Sequence, residues 1–208
     1  GNATRAEKKG WIEVRLDGSP RDLGYQHGWL LAAEIEDALA VTRLSMTHDG
    51  KRDWNFFREA ARTMLWPRVG VEYREEIEGI VEGLTARGVK ADVWDVVAHN
   101  AQLEFGYYTA WLDKNQGKPA PSGAPDRCSA FVATGSMTKD GRAVIGHSNW
   151  SGYLEGARWN IIFDIRPKTG HRILMDGYPG FIHSGDDFGV TSAGLAITET
   201  TITGFHGF

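Results

Sequence analysis

The hydrophobic period of the chain changes at residues 126–132, a stretch that contains the single cysteine, Cys128. Before this stretch, apolar side chains recur every three to four residues, which is typical of amphipathic helices. After it, short runs of alternating apolar and polar residues are separated by Gly- and Pro-containing turns, which is typical of antiparallel strands. The pattern predicts one α+β domain: a helical segment, 1–127, that ends in a Pro/Gly-rich loop, and a β segment, 128–208.

Local signals predict four helices in the first segment. Ser19 and Pro20 suit the N-cap and the first helical position, and the helix that they begin is predicted to run to about Met46. Ahead of it, residues 11–16 alternate apolar and charged side chains, the pattern of a half-buried strand. Three more helices are predicted at about residues 54–65, 71–87 and 92–105.

Two glycines, Gly24 and Gly28, lie one turn apart inside the first helix. Each costs about 1 kcal/mol of helix propensity relative to Ala. We therefore expect another element to pack closely against this face, in preference to a ligand. His27, between them, is expected to be a packed or surface residue rather than a catalytic one. The acidic side chains of the third helix lie opposite its apolar stripe, so a solvated face is expected there rather than a metal site.

The second segment is predicted to be a β-meander. Residues 106–127 have no period and contain several Pro and Gly residues, so we expect a loop before it. The antiparallel sheet is expected to begin at Cys128, with the helices covering one face. Residues 139–141 suit a hairpin turn. The strands are predicted at about residues 128–134, 142–148, 159–166, 171–175, 189–191 and 195–200.

Composition argues against several classes of partner. The formal net charge is −4 and there is no basic run, so neither nucleic acid nor an anionic membrane surface is expected. No apolar run approaches the roughly 18 residues of a membrane span. A single cysteine cannot form an intrachain disulfide, so cysteine usage does not indicate whether the protein works in an oxidising or a reducing compartment. The polar residues 1–9 are expected to be the junction left by removal of a leader or tag, which is compatible with export.

The predicted hairpin would gather reactive side chains at its open end. A catalytic cysteine needs a base for its thiol and donors for the oxyanion that forms when a carbonyl is attacked. Strand pairing after Cys128 would return His147, Asn149 and Trp150 to its neighbourhood. From the residues alone two interpretations remain: Cys128 is a catalytic nucleophile, or it is an inert buried side chain beside a structural turn. A lone cysteine is usually inert and buried, and any hairpin brings its ends together.

A second polar constellation follows, within residues 178–188 and 199–201. Asp186 and Asp187 are adjacent and would point to opposite sides of an extended chain, so a turn or capping pair is favoured over a metal or acid/base pair. Thr200 and Thr201, at the end of a strand, would face either a pocket or solvent.

Four motifs, in this order and spacing, resemble the landmarks of the phospholipase B-like proteins. They are residues 127–130 (RCSA), 146–153 (GHSNWSGY), 178–188 (YPGFIHSGDDF) and 199–202 (ETTI). That family belongs to the N-terminal-nucleophile (Ntn) hydrolases that cleave linear amides, together with acyl-CoA:6-aminopenicillanate acyltransferases and choloylglycine hydrolases. Residues 18–28 are similar to the opening motif of the acyltransferase branch.

The resemblance implies a four-layer αββα sandwich with antiparallel sheets, made as an inactive precursor. Cleavage between Arg127 and Cys128 would free the cysteine α-amino group, whose usual pKa of about 7.7–8.0 suits a general base for the adjacent thiol. By the same resemblance Cys128 matches the nucleophile. Pocket or oxyanion candidates are His147, Asn149, Trp150 and Thr200. A small-molecule amide or lipid-like substrate is implied, with no cofactor and no metal.

The sequence departs from the family pattern in two respects. Arg127 stands where the acyltransferases have a small residue, and the chain stops at Phe208 although members of this group continue. We therefore expect the remainder of the chain, or a second chain, to complete the fold. Two alternatives stay open: a non-catalytic member that binds a lipid or peptide, and a cysteine hydrolase that uses an internal Cys128/His147 dyad.

Overall fold

A computed structural model describes residues 2–118, 128–185 and 188–200. The strands are β1 (Thr4–Lys8), β2 (Trp11–Gly18), β3 (Ser129–Gly135), β4 (Gly141–Ser148), β5 (Ile161–Pro167), β6 (Ile173–Gly177), β7 (Phe188–Thr191) and β8 (Ala196–Thr198). The helices are α1 (Pro20–Leu30), α2 (Ala32–Gly50), α3 (Trp54–Ala60), α4 (Val71–Ala86), α5 (Val93–Asn100), α6 (Gln102–Asn115) and α7 (Tyr153–Gly156). A π-helical turn, Ala61–Leu65, and a 3₁₀ turn, Trp66–Arg68, follow α3.

The strands form two sheets. Six of them pair in the order β1-β2-β5-β6-β7-β8, and β3 pairs with β4 in a separate two-stranded sheet. Strands β2 and β5 are parallel, and every other pair among the described strands is antiparallel. This mixture of helices and largely antiparallel sheets confirms the α+β class. No helix in the described ranges is long and apolar enough to cross a membrane.

The alternation predicted for residues 11–16 sets the sheet side of the core. Val14 and Leu16 point inward from β2 and are 1% exposed. In the parallel register they lie beside Phe163 and Ile165 of β5, which are also buried. The charged residues between them point to the other face because side chains of a strand alternate. The helices cover the apolar face and bury it.

The two glycines of α1 allow the closest helix contact in the core. A Cβ atom on Gly24 would lie 1.9 Å from the Glu76 carbonyl oxygen of α4, and one on Gly28 would lie 2.1 Å from the Ile80 carbonyl oxygen. Gly79 of α4 meets the backbone of α1 in the same way. The expectation that this face packs against another element is therefore confirmed.

The prediction of the fourth helix was wrong in two respects. The predicted helix 92–105 is two helices, and α6 continues to Asn115 through residues expected to be a loop. Tertiary packing explains the extension, since Phe105 and Thr109 are buried and Tyr108 stacks on Phe56.

Packing also breaks the predicted first helix in two. The break falls at Leu31, and the second part, α2, runs past Met46 to Gly50. Leu31 is fully buried and its backbone leaves the helical region (φ −115°, ψ 25°), although nothing in its sequence signals a stop. The break therefore reflects its tertiary environment.

The first segment also contributes strands to the sheet. Residues 4–8, expected to be part of a leftover junction, form β1 and pair antiparallel with β2. The expected single meander from Cys128 was wrong as well, because the hairpin β3-β4 stands apart and β2 inserts beside β5. Period-two alternation predicts that a segment is a strand, but the partner depends on long-range packing.

Candidate functional site

The hairpin β3-β4 brings Cys128 next to Asn149. Ser129 pairs with Ser148, so Cys128 and Asn149 are the next pair beyond the strand ends. The Cys128 thiol donates to the Asn149 side-chain oxygen across 3.6 Å, a weak hydrogen bond of the kind sulfur makes. Cys128 is half-buried. The open end of the hairpin thus holds a partly accessible thiol against a carboxamide.

His147 lies on the same face of the hairpin, two residue pairs further in. It pairs with Ala130, and residues two apart along a strand share a face. Diagonal neighbours of this kind have Cβ atoms about 7–8 Å apart. Its Nε2 atom is buried and has no hydrogen-bond partner among the described residues. On the face that carries Cys128, the His147 ring therefore has one nitrogen, Nε2, that makes no hydrogen bond to the described residues.

The opposite face of the hairpin is held by an aromatic ring over a glycine. Phe131 pairs with Gly146, and a Cβ atom on Gly146 would lie 2.2 Å from the Phe131 ring. A larger residue at position 146 would displace the Phe131 ring from this position. The ring therefore covers the glycine on the face opposite Cys128 and Asn149.

A second group of polar side chains holds the turn formed by residues 178–182. The backbone N–H of Gly180 donates to His27 Nε2 across 3.0 Å, and His99 Nε2 donates to the Pro179 carbonyl across 2.7 Å. We call His27, His99 and Asn100 the turn clamp. Its histidines come from α1 and α5, so two helices bind the segment that follows β6 in the sheet.

Asn100 completes the turn clamp with two further bonds. Its side-chain nitrogen donates to the Gly180 carbonyl across 2.8 Å, and its side-chain oxygen accepts from the Ile182 N–H across 2.9 Å. On the far side of His99, the Thr42 hydroxyl donates to Nδ1 across 2.8 Å. Four backbone groups of a buried turn are thereby satisfied by side chains, as buried polar groups require.

Both clamp histidines are neutral near pH 7. Burial lowers the pKa of His27 to about 3, with a smaller contribution from His99. Burial also lowers the pKa of His99 to about 4, against the opposing effect of its bond to the Pro179 carbonyl. The bonding requires two different tautomers, with the proton on Nδ1 in His27 and on Nε2 in His99.

A cavity of about 410 Å³ lies beside the turn clamp. Asn100, Ile182 and His183 form one wall, and Glu104 and Arg68 are among its polar lining residues. Burial lowers the pKa of His183. In the described ranges no three His, Cys, Asp or Glu side chains are grouped closely enough to hold a metal ion.

Comparison with known proteins identifies the family. The family model of phospholipase B matches residues 54–207. The chain belongs to the phospholipase B family. It is 31% identical over 203 residues to an uncharacterised protein of Archaeoglobus fulgidus, an alignment covering 88% of this chain and 32% of that protein. It is 36% identical over 149 residues to putative phospholipase B-like 3 of Caenorhabditis elegans, covering 68% of this chain and 25% of that protein.

A third relative covers less of the chain. Putative phospholipase B-like 2 of Rattus norvegicus is 30% identical over 98 residues, covering 42% of this chain and 16% of that protein. This chain therefore spans about a third or less of the length of these three relatives.

Of the site residues that the resemblance to this family predicted, the structure brings Cys128 and Asn149 into contact and puts His147 on their face. Trp150 follows the hairpin and is 68% exposed. Thr200 is half-buried and lies two residues beyond the end of β8, which is a strand of the six-stranded sheet and not of the hairpin. Arg127, Asp186, Asp187 and Thr201 lie outside the described residues, so their predicted roles stay predictions.

Sequence reasoning missed the turn clamp. It expected His27 to be either a packed or a surface residue, and the structure shows that it is packed; it assigned no role to His99 or Asn100. A signal was present: His27 stands between two glycines on a helix face that had to be buried. A polar ring in that position needs a buried hydrogen-bond partner.

Proposed function

We propose that this chain carries the nucleophile of an Ntn hydrolase that cleaves a linear amide C–N bond, with Cys128 as that nucleophile. The supporting observation is the hairpin register, which aligns the thiol with Asn149 and places His147 on the same face. Membership of the phospholipase B family supports hydrolase chemistry. The substrate that we propose is a small-molecule amide or a lipid-like amide.

Maturation would use the same sulfur as turnover. The Cys128 thiolate attacks the carbonyl carbon of Arg127, and the bond to the Cys128 nitrogen breaks as that nitrogen takes up a proton. Water then hydrolyses the resulting thioester, which leaves a carboxylate on Arg127 and a free α-amine on Cys128. That amine then serves as general base for the thiol.

In turnover, the freed amine takes the thiol proton while sulfur attacks the substrate carbonyl. The C–N bond then breaks as the leaving amine takes up that proton, and water hydrolyses the thioester to release the acid and regenerate the thiol. Asn149 changes role in this scheme: its oxygen accepts from the resting thiol, and its amide N–H groups are donors for the oxyanion. We assign His147 a second donor role, because its buried Nε2 has no partner within the described part of the chain. Trp150 and Thr200 are proposed as pocket walls.

Intact mass and denaturing electrophoresis test the proposal. An Ntn enzyme gives two fragments that meet between Arg127 and Cys128, and the second fragment begins with a free cysteine amine. An uncleaved chain with amide hydrolase activity would instead support the Cys128/His147 dyad. An uncleaved, inactive chain, measured in the full-length protein, would support a binding protein and contradict the proposal.

A further inference from the structure

Each clamp histidine accepts one hydrogen bond that exists only when its ring is neutral. His27 Nε2 accepts the Gly180 N–H, and a protonated ring nitrogen cannot accept. His99 donates from Nε2 to the Pro179 carbonyl and accepts the Thr42 hydroxyl at Nδ1, so its protonation removes the Thr42 bond and leaves a buried positive charge in the ring. We propose that the turn clamp is a pH-sensitive switch: acid releases residues 178–182 from the helices while the main core stays folded.

Apart from the Pro179 carbonyl that accepts from His99, the surroundings of the two rings do not stabilise a positive charge. His27 is packed against Phe163 of β5 and faces His99 of α5. His99 is in ring contact with Tyr178 and Phe181, and it faces His183. All the titratable groups that these two rings face are therefore cationic or neutral at acid pH.

The acidic groups of this region act elsewhere. Glu104 faces His183, and Glu155 and Asp37 face Tyr178 together with Arg158. Within the described residues, no carboxylate contributes to the pKa of either clamp histidine. Protonation of either ring therefore introduces an unpaired buried charge, which is costly.

Residues 178–182 can separate from the helices without unfolding the main core. Tyr178, Phe181 and Ala38 form a small apolar cluster separate from the main core. The helices that carry the histidines belong to the main core. There, the backbone of α1 packs directly against the backbone of α4 at the two glycines of α1. Release of the turn exposes the small cluster, lifts Ile182 from the edge of the large cluster and hydrates both rings, while the buried residues of the large cluster keep their packing.

Opening would also change the cavity beside the turn. Ile182 and His183 form part of its wall, and the Ile182 N–H is held by Asn100. Release of the turn also breaks the bonds from Asn100 to Gly180 and Ile182, so this part of the wall is no longer held in place. Acid would therefore make the cavity more accessible.

The pKa values set the size of the effect. In the opened turn each histidine regains its ordinary pKa of about 6.5. Because the closed-state pKa is depressed, each histidine stabilises the closed turn above pH 6.5, and that contribution is lost as the pH falls toward the closed-state pKa. From closed-state values of about 3 and 4, the opening constant rises about 20- to 25-fold per histidine between pH 7 and pH 5, or roughly 500-fold for both.

Amide hydrogen exchange, corrected for the intrinsic pH dependence of exchange, measures this opening. Protection of the Gly180 and Ile182 amides is expected to fall roughly 500-fold from pH 7 to pH 5, while the Ile80 amide in α4 keeps its protection. In His27→Gln the side-chain oxygen can accept the Gly180 N–H but cannot be protonated, so the fall should shrink to about 20-fold. His48→Gln, at an exposed histidine of α2, is the matched control and should keep the full fall.

Two results would overturn the proposal. One is a fall in His27→Gln as large as in the unmodified chain. The other is simultaneous loss of protection at Ile80, which would mean that acid unfolds the main core and not the turn alone. If His27→Gln does not fold at pH 7, His99→Gln provides the second test, since its amide can still donate to the Pro179 carbonyl and the same reduction to about 20-fold is expected.

Discussion

Replacing Gly28 by Ala should destabilise the protein by forcing two helices apart. The new Cβ atom would lie 2.1 Å from the Ile80 carbonyl oxygen, whereas ordinary van der Waals contact begins at 3.4 Å. The obstacle is backbone, so no rotamer change relieves it. Helices α1 and α4 must therefore separate by about 1.3 Å at this point.

The magnitude follows from two opposing effects. Overpacking of a tight core costs about 1–3 kcal/mol, and we take the upper value because the clash is with backbone. Alanine recovers about 1 kcal/mol of helix propensity relative to glycine. The free energy of unfolding should therefore fall by about 2 kcal/mol.

Denaturant unfolding followed by circular dichroism measures the change. Gly106→Ala is the matched control, because Gly106 lies inside α6 and a Cβ atom there would meet nothing within 4 Å. That control should gain up to about 1 kcal/mol. If Gly28→Ala were as stable as the unmodified chain, or shifted in the same direction as Gly106→Ala, the helix-crossing argument would be wrong.

Four other outcomes are expected. Cys128→Ala should abolish both maturation and turnover, whereas Cys128→Ser should still mature slowly, as followed by intact mass; unchanged processing in the alanine variant would point to an external protease. In mature protein, His147→Ala should keep measurable turnover, because the α-amine is the base; a loss equal to that of Cys128→Ala would favour the dyad. Asn100→Ala leaves the Gly180 carbonyl and the Ile182 N–H without a clamp partner and should cost about 2–3 kcal/mol in denaturant unfolding, with Asn115→Ala as control. Burial, with Glu72 nearby, raises the pKa of Glu76 to about 7 from the usual 4.5, so ionised Glu76 destabilises the fold; Glu76→Gln should stabilise it by up to about 3 kcal/mol at pH 8 and hardly at all at pH 4, unlike exposed Glu36→Gln.

The part of the candidate site that the sequence predicts is the hairpin, whose residues are close together along the chain. A turn at residues 139–141 and the alternation on either side of it were enough to predict the hairpin, and the hairpin register then pairs Cys128 with Asn149. The turn clamp was not predictable in this way. Its bonds join residues 80 to 153 positions apart, and no periodicity relates such positions.

The sequence by itself determined the elements whose signals are local. Ser19 caps α1 through a capping box with Asp22, and Asp92 caps α5 in the same way, as short-range hydrogen bonds allow. The alternation in β2 determined which side chains face the core. These features depend on neighbours within a few residues, so the energy that selects them is present in the isolated segment.

The tertiary structure decided which elements meet. It paired β2 in parallel with β5, extended α6 to Asn115, and set apart the hairpin that carries Cys128. It also buried His27 and His99 against one turn, which made both rings neutral. These outcomes depend on how much apolar surface each arrangement removes from water, and that quantity is a property of the whole packed chain.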